Sequence, residues 1–350
     1  MSLGTITATE AMAAPDGQDT VIDVRSPSEF AEDRLPGAVN WPVLDDAERA
    51  EVGTIYTQVS TFEARKRGAA IVSRNIARHI DEHVAGMGRD WRPLVYCWRG
   101  GQRSGSFAIV LAQIGFRTRQ LQGGYKAYRA LVRGELDTLP GRFDWRVIGG
   151  RTGSGKTRLL QALAAEGAQV LDLEALAAHR GSVLGDLPGQ PQPSQKEFDS
   201  RVWHALHGFD PTRPVFVERE SRRIGRLQLS DAVLEAWQQR SRAIQVELGL
   251  SERVALLTEE YAFFTRDVDA LNERLQVLTE LRGKATVAHW QSLAQSGDWP
   301  TLVAELMQQH YDPLYDRAAR AFADGEKVET VMLDDAQPAT LASAARRLAG

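Results

Sequence analysis

Eight residues near the middle of the chain constrain its fold most, because they form a glycine-rich phosphate-binding motif. The segment is Gly150-Arg-Thr-Gly-Ser-Gly-Lys-Thr157, which fits the pattern G-x-x-x-x-G-K-[ST] in full. An apolar run at 145–149 precedes it and a helical pattern at 156–166 follows it. A strand that leads through such a loop into a helix is typical of a parallel α/β sheet. We therefore predict an α/β domain that binds a phosphate or diphosphate.

The residue types of this loop define the expected contacts. Backbone N–H groups would surround the phosphate oxygens, aided by the positive end of the helix. Lys156 would add a point charge, and the Thr157 hydroxyl can coordinate Mg²⁺ where a metal is used. The predicted phosphate-binding residues are Gly150, Thr152, Gly153, Ser154, Gly155, Lys156 and Thr157.

Three acidic residues beyond the loop are candidates for the acid or metal side of the site. Asp172 lies at the end of a predicted strand at 169–173, and it can equally be the N-cap of the next helix. Glu218 and Glu220 lie at the end of the predicted strand 215–218. They are either functional or paired with Arg222 and Arg223. The sequence does not establish which metal, if any, is bound.

The chain has a single cysteine, Cys97, which excludes an intramolecular disulfide and a cysteine-rich zinc site. The apolar runs 20–24 and 93–97 predict buried strands, and residues 63–83 between them have the length and composition of a helix. Cys97 ends the second run and opens the loop Cys97-Trp-Arg-Gly-Gly-Gln-Arg-Ser104, which leads into a helix at 104–114. Such a loop forms an anion-binding bowl, in which Arg99 and Arg103 favour the thiolate. We predict Cys97, Arg99 and Arg103 as catalytic residues. The chemistry is either phosphate ester cleavage or transfer of sulfur or selenium, and Tyr96 stands where cysteine phosphatases usually have His.

The turn-rich stretch around 134–141 suggests a boundary between two domains. We predict a first domain at 1–134, a linker at 135–144, and a second domain at 145–350 with a helical insertion around 251–325. Residues 181–194, rich in Gly, Pro and Gln, are expected to form a long ordered loop or lid. No run of 18 apolar residues or signal peptide is present, so we expect a cytoplasmic protein without a membrane partner.

Positive charge is concentrated around the cysteine. Residues 61–133 hold fourteen Lys or Arg and four acidic residues, a net charge of +10, whereas the whole chain has −4. This segregation suits either a solvated face or a bound polyanion.

The N-terminal part resembles a rhodanese domain in two stretches and a closing segment. These are Val21-Ile-Asp-Val-Arg-Ser-Pro-Ser-Glu-Phe30, Leu35-Pro-Gly-Ala-Val-Asn-Trp-Pro42 and Gln122-Gly-Gly-Tyr-Lys126. Asp23, Arg25 and Glu29 would then support the fold and the loop. Five residues separate Cys97 from Arg103, one more than in most rhodaneses, which suits a larger anion or a selenium species.

Taken whole, the chain resembles the bacterial tRNA 2-selenouridine synthases. The matching segments include Glu48–Tyr56, Tyr96–Ser104, Gly150–Thr157, Leu171–Glu174, His179–Ser182, Pro191–Gln195 and Glu218–Gly225. Arg219 and Leu184 are local departures from the family pattern. The resemblance implies a rhodanese-like parallel-sheet domain followed by a P-loop NTPase-like α/β domain with a helical extension.

The resemblance also implies an activity. The family replaces the sulfur of wobble 2-thiouridine in tRNA with selenium from selenophosphate, through an S-geranyl intermediate made from geranyl diphosphate. The phosphate loop would hold the prenyl diphosphate, with Mg²⁺ as an optional cofactor, and the cysteine loop would handle selenium. A selenophosphate-supplying protein would be a partner. Expected tRNA or base contacts are Trp98, Arg65, Lys66, Arg67, Arg222 and Arg223.

Other functions fit the same motifs. An ATP-dependent tRNA sulfurtransferase or a rhodanese-type sulfurtransferase would use the two loops differently. A tRNA-binding regulator with decayed sites is disfavoured by the intact Cys97 and Lys156. A cysteine phosphatase fused to a nucleotide-binding domain would cleave aryl phosphates without tRNA.

Overall fold

The computed structural model describes residues 3–182, 184–320 and 328–350, which form two compact units. The first unit comprises Met1–Leu136 and Pro193–His204, and the second comprises Asp137–Gln192 and Ala205–Gly350. Each unit is built on a five-stranded parallel sheet, so the predicted α/β class is confirmed. None of the helices in these residue ranges is long and apolar enough to cross a membrane.

The sheet of the first unit has the order β1-β5-β4-β2-β3 with all pairings parallel. The strands are β1 Gly4–Ile6, β2 Thr20–Asp23, β3 Ala38–Asn40, β4 Pro93–Tyr96 and β5 Arg119–Leu121. The two apolar runs predicted as strands, β2 and β4, are neighbours near the middle of the sheet. Burial on both faces explains their continuous apolar sequence, which is usual for parallel sheets.

Helices cover this sheet and supply half of its core. They are α1 Ala8–Ala13, α2 Pro27–Glu32, α3 Asp46–Gln58, α4 Thr61–His79, α5 Gln102–Ile114 and α6 Gly124–Leu136. The predicted helix at 63–83 is α4, followed by a π-helical turn, Ile80–Val84. Ile71 of α4 and Phe107 of α5 belong to the same apolar cluster as Ile22 and Val95 of the strands.

One segment departs from the predicted domain plan. Helix α9, Gln195–His207, follows the phosphate loop in sequence, yet residues 193–204 cluster with the first unit. The buried Asp33 explains this, because its Oδ2 accepts hydrogen bonds from Tyr125 Oη at 2.8 Å and from Ser200 Oγ at 2.9 Å. In addition, the Trp203 ring packs edge-on against Tyr128 with centroids 5.8 Å apart. The assignment of 145–350 to a single domain therefore differs from the structure in this helix.

The sheet of the second unit has the order β12-β11-β6-β8-β7, again with parallel pairings. Its strands are β6 Trp145–Gly149, β7 Gln169–Leu171, β8 Val215–Glu218, β11 Ser241–Leu248 and β12 Glu329–Leu333. A separate two-stranded ribbon joins β9 Arg223–Ile224 and β10 Leu227–Gln228. The phosphate-loop strand β6 is central, so its carboxyl end opens between β8 and β11.

Helices of the second unit pack on this sheet and extend beyond it. They are α7 Lys156–Ala165, α8 Leu173–Ala177, α10 Asp231–Arg240, α11 Leu250–Glu260, α12 Val268–Gln276, α13 Thr279–Arg282, α14 Lys284–Ser296, α15 Trp299–Leu306, α16 Asp312–Arg320 and α17 Pro338–Ala349. The predicted helical insertion around 251–325 corresponds to α11–α16, and its residues 321–325 lie outside the described ranges. Trp290, Leu275 and Leu302 belong to an apolar cluster of this extension.

The two predicted connecting segments are more ordered than their composition suggests. Within the predicted linker 135–144, α6 continues to Leu136 and a 3₁₀ turn covers Leu139–Arg142. The predicted loop 181–194 is held by backbone bridges between His179 and Asp186 and between Leu187 and Gln190. Val183 in that loop lies outside the described residues.

Candidate functional site

The phosphate loop connects β6 to α7 as predicted, with β6 ending at Gly149 and α7 beginning at Lys156. Only glycine fits at position 150, because a Cβ atom there would lie 2.5 Å from Ser154 Oγ and 2.6 Å from Val246 O. The Ser154 hydroxyl is buried and has no hydrogen-bond partner among the described residues. A bound anion would satisfy such a group, since buried polar atoms normally have a partner.

Lys156 and Thr157 face a cluster of three carboxylates. Lys156 Nζ lies 3.3 Å from Glu218 Oε1, and Thr157 Oγ1 donates a hydrogen bond to Glu218 Oε2 at 2.9 Å. Thr157 Oγ1 is also 3.4 Å from Glu174 Oε2. One carboxylate oxygen each from Glu174, Glu218 and Glu220 lies within 4.8 Å of the other two. The loop cation and hydroxyl therefore lie next to an all-oxygen acidic group.

The crowding of these carboxylates changes their protonation. Burial first, and then the neighbouring carboxylates, raise the pKa of Glu174 to about 9 and that of Glu220 to about 8. The cluster therefore binds protons more readily than isolated carboxylates do. Perturbed carboxyl pKa values in a cleft are typical of functional sites. Carboxylate and hydroxyl oxygens are the ligands that Mg²⁺ prefers, so Thr157, Glu174, Glu218 and Glu220 fit a hard divalent cation.

A buried arginine also holds the loop. Arg253 of α11 is 3% exposed, and its Nε donates to Thr152 O at 2.9 Å. Its two Nη atoms donate to the carboxylate of Asp312 at 3.0 and 2.6 Å. The helical extension thus fixes the conformation of the phosphate loop.

Two adjoining cavities open beside the loop. One measures about 430 Å³ and is lined by the phosphate loop and the acidic cluster. The other measures about 70 Å³ and is lined almost entirely by apolar side chains of the helical extension. The lining residues that the two cavities share are Thr152, Ser182, Leu257, Tyr261 and Tyr311. A polar chamber therefore borders an apolar one across a single wall.

The cysteine loop occupies the carboxyl end of β4 in the first unit. Cys97 is 4% exposed, and its Sγ accepts a hydrogen bond from Ser104 Oγ at 3.2 Å. Gln120 Nε2 donates to the same hydroxyl at 2.8 Å, which orients it. Tyr125 N donates to Cys97 O at 2.8 Å, so the start of α6 forms the wall behind the cysteine.

The two predicted anion-binding arginines differ in their surroundings. Arg99 is exposed, whereas Arg103 Nη1 donates to Glu29 Oε2 at 2.8 Å. Glu29 therefore positions Arg103 and also shares its charge. Below the loop, Arg25 is fully buried and bonded to Asp23.

The structure places the other predicted residues as follows. Asp172 acts as the N-cap of α8, accepting from Ala175 N at 2.9 Å. Arg222 is paired with Asp231, and not with the acidic cluster. The Trp98 ring is half-buried and tilted against Tyr125, with centroids 5.2 Å apart. The remaining predicted basic contacts, namely Arg65, Lys66, Arg67 and Arg223, are exposed.

Several site residues were not identified from the sequence. Glu174 completes the acidic cluster two positions after Asp172, and Ser182, Tyr261 and Tyr311 line both cavities. Glu174 and Ser182 stand in the family-matching segments Leu171–Glu174 and His179–Ser182, but those matches did not assign them a role. Tyr261 and Tyr311 come from distant segments and carry no local pattern.

A parallel sheet ending in a cysteine loop and another ending in a phosphate loop define a rhodanese-like domain joined to a P-loop domain. Two family models match accordingly. Residues 7–131 match the rhodanese-like domain, and residues 143–271 match the AAA domain of tRNA 2-selenouridine synthase.

Two relatives agree with these matches. The chain is 38% identical over 249 residues to a tRNA 2-selenouridine synthase of Nitrosomonas europaea, covering 70% of this chain and 64% of that protein. It is 32% identical over 328 residues to the enzyme of that name from Sulfurovum sp., covering 85% and 87%. A crystal structure of a rhodanese-related protein from Thermoplasma volcanium aligns at 19% identity and a TM-score of 0.25, covering 37% and 92%. The chain belongs to the tRNA 2-selenouridine synthase family.

Proposed function

We propose that this protein converts wobble 2-thiouridine in tRNA to 2-selenouridine in two steps. The first step transfers a geranyl group from geranyl diphosphate to the sulfur of the base. The second step replaces the geranylated sulfur with selenium from selenophosphate. The names of its relatives support the overall conversion, and the features of the two loops support the division into steps.

The observation that carries the proposal is the apolar cavity beside the phosphate loop. A prenyl diphosphate has a charged head and a hydrocarbon tail, so its site needs a phosphate cradle bordering an apolar chamber. Phe264, Leu271 and Leu302 line that chamber, and each is at most 6% exposed.

The phosphate loop would act on the leaving group. When the carbon–oxygen bond of the donor breaks, negative charge develops on the diphosphate. Lys156 and the N–H groups at the start of α7 are positioned to stabilise that charge, which lowers the barrier to bond cleavage. Thr157 and the three carboxylates would hold Mg²⁺, which supplies further neutralisation of the diphosphate.

The cysteine loop would serve the selenium step. Selenophosphate is an anion, and the start of α5 with Arg99 and Arg103 provides positive potential beside Cys97. The hydrogen bond from Ser104 to Sγ holds the thiol in one orientation. Use of selenophosphate implies an enzyme that supplies it, and a tRNA substrate implies a cytoplasmic site of action.

Ligand titration tests directly whether the apolar cavity beside the phosphate loop binds a prenyl chain. Geranyl diphosphate should bind at least about 100-fold more tightly than inorganic diphosphate, because each buried CH₂ contributes about 0.8 kcal/mol. ATP should compete weakly, and Lys156→Ala should weaken both diphosphates. If ATP binds more tightly than geranyl diphosphate and tRNA stimulates its hydrolysis, the ATP-dependent sulfurtransferase is the better assignment.

A further inference from the structure

A third cavity of the second unit lies beside the two already described. It measures about 470 Å³ and is lined by polar residues from the loop after α8 and from the β9–β10 ribbon. His179, Asp186 and Arg226 are among them. Ser182 lines this cleft, the phosphate-loop cavity and the apolar cavity. The three chambers therefore meet at one residue.

The wall of this polar cleft is fixed by Gln192. Its Nε2 donates to Ala177 O at 3.3 Å and to Ile224 O at 3.0 Å. Its Oε1 accepts from Arg226 N at 2.9 Å. The side-chain amide thus ties three backbone segments together, and the cleft is preformed.

Two side chains present a defined donor and acceptor to the cleft. Gly181 N donates to His179 Nδ1 at 3.0 Å, so the ring proton of the neutral imidazole lies on Nε2. Burial lowers the pKa of His179, which keeps the ring neutral. His179 Nε2 is 3.5 Å from Asp186 Oδ1, while Asp186 Oδ2 accepts from Arg274 at 2.7 Å. A donor and a carboxylate acceptor therefore lie side by side.

This pair complements the edge of a uracil-type base. Such a base presents an N3–H donor beside an O4 acceptor, whereas cytosine presents an acceptor and a donor in the reverse order. A carboxylate would accept from N3–H and would repel the bare N3 of cytosine. The neighbouring His179 Nε2–H would donate to O4.

The junction of the chambers contains buried hydroxyls with weak partners. Ser182 Oγ and Tyr311 Oη interact with each other, but neither forms a hydrogen bond of ordinary length to any of the described residues. Burial raises the pKa of Tyr311, so its hydroxyl stays neutral and can donate. Ser182 lies where the three cavities meet and Tyr311 lines two of them, so a polar ligand atom placed there would complete the hydrogen bonding of both hydroxyls.

We propose that the polar cleft binds the 2-thiouracil base, with N3–H on Asp186, O4 on His179 and the sulfur at Ser182. This inference rests on the proposed geranyl transfer. It places the attacking sulfur beside C1 of the geranyl group. The diphosphate would then lie on the phosphate loop and the hydrocarbon tail in the apolar cavity.

The bonds balance in this arrangement. The sulfur forms a bond to C1 of the geranyl group, and the C1–O bond breaks. Diphosphate leaves with the electron pair onto the phosphate loop. The N3 proton passes to Asp186 and then to solvent, which leaves a neutral S-geranyl base.

Asp186→Asn tests the base contact, with Asp269→Asn on the exposed side of α12 as a control of equal charge change. The substrates are anticodon stem-loops with a single 2-thiouridine or 2-thiocytidine. Asp186→Asn should raise the KM for the 2-thiouridine stem-loop about tenfold, as expected for loss of a charged hydrogen bond. It should also reduce the discrimination against 2-thiocytidine. The Kd for geranyl diphosphate should stay within about twofold, and Asp269→Asn should match the wild type.

Wild-type KM and wild-type discrimination in Asp186→Asn would overturn the cleft assignment. If the wild type transfers no geranyl group at all, the proposed function fails separately. Direct stem-loop binding by fluorescence anisotropy then decides the cleft alone. Weaker binding of the 2-thiouridine stem-loop by Asp186→Asn supports it, and equal binding refutes it.

Discussion

Gly124→Ala is the substitution whose effect on the cysteine loop follows most directly from the structure. Gly124 begins α6 with a φ of 58°, in the left-handed region. A Cβ atom there would lie 2.2 Å from Cys97 O and 2.4 Å from Gly100 N. Both contacts are with backbone, so no side-chain rotation can relieve them, and the loop that carries Cys97 must move.

The loss of unfolding free energy expected for Gly124→Ala has two parts. A left-handed conformation costs a non-glycine residue about 1–2 kcal/mol. Overpacking against a fixed backbone adds about 1–3 kcal/mol. We therefore expect the free energy of unfolding of the first unit to fall by about 2–5 kcal/mol. Gly134→Ala in the same helix is the matched control, because nothing lies within 4 Å of its Cβ position. It should be neutral or stabilising by about 0.5–1 kcal/mol.

Denaturant unfolding measures the stability, and the rate of Cys97 alkylation by iodoacetamide measures the loop. With a single cysteine in the chain, the alkylation signal is unambiguous. Gly124→Ala should change the alkylation rate and lower conversion to the selenium product, while geranylation at the second unit continues. The reasoning is refuted if Gly124→Ala and Gly134→Ala behave alike in unfolding and alkylation.

Further predictions concern the cavity, the acidic cluster, a buried carboxyl group and charge. Val303→Phe should fill the apolar cavity and weaken geranyl diphosphate binding about tenfold or more by titration, with inorganic diphosphate unaffected. Because burial and mutual repulsion raise the pKa values of Glu174 and Glu220, Mg²⁺ with diphosphate should release protons at pH 7, and Glu174→Gln should reduce this release in calorimetry across two buffers. Burial raises the pKa of Asp33 from 3.8 to about 6, so its contribution to stability is full below pH 3.8 and lost as pH rises through 6. Asp33→Asn should flatten that dependence, which amounts to about 3 kcal/mol, in unfolding titrations. Binding of tRNA should weaken steeply with salt in filter assays if the +10 segment contacts the backbone.

Local sequence patterns predicted the parts of the fold that local physics determines. Strands β2, β4, β6 and β8 are short apolar runs buried on both faces, so their composition alone marks them. The phosphate loop needs its glycines for steric reasons that do not depend on the rest of the chain. These elements appear in the structure within one or two residues of the predicted bounds.

Features set by distant contacts were not predictable in the same way. Ser200 and Trp203 look like ordinary residues of an amphipathic helix, and only the buried Asp33 and Tyr128 explain why α9 packs on the first unit. Edge strand β1 is three residues long and carries too weak a pattern.

The candidate site likewise combines residues that a motif predicts with residues that only distant contacts bring together. Lys156 and Thr157 follow from the motif, but their contact with Glu174 depends on how β7 lies in the sheet. The Ser182 junction combines three segments that are far apart in sequence. The match at His179–Ser182 marked one of these segments, but no local motif shows that the three meet.

Mass spectrometry of 2-thiouridine tRNA after incubation with the purified protein tests the central claim most directly. One sample receives geranyl diphosphate alone, and a second also receives selenophosphate, with Cys97→Ala and Lys156→Ala alongside. We predict the geranyl mass in the first sample and the selenium mass in the second. Lys156→Ala should lose both, and Cys97→Ala should lose only the selenium product. ATP consumption with neither mass would contradict the assignment of the phosphate loop to the prenyl donor.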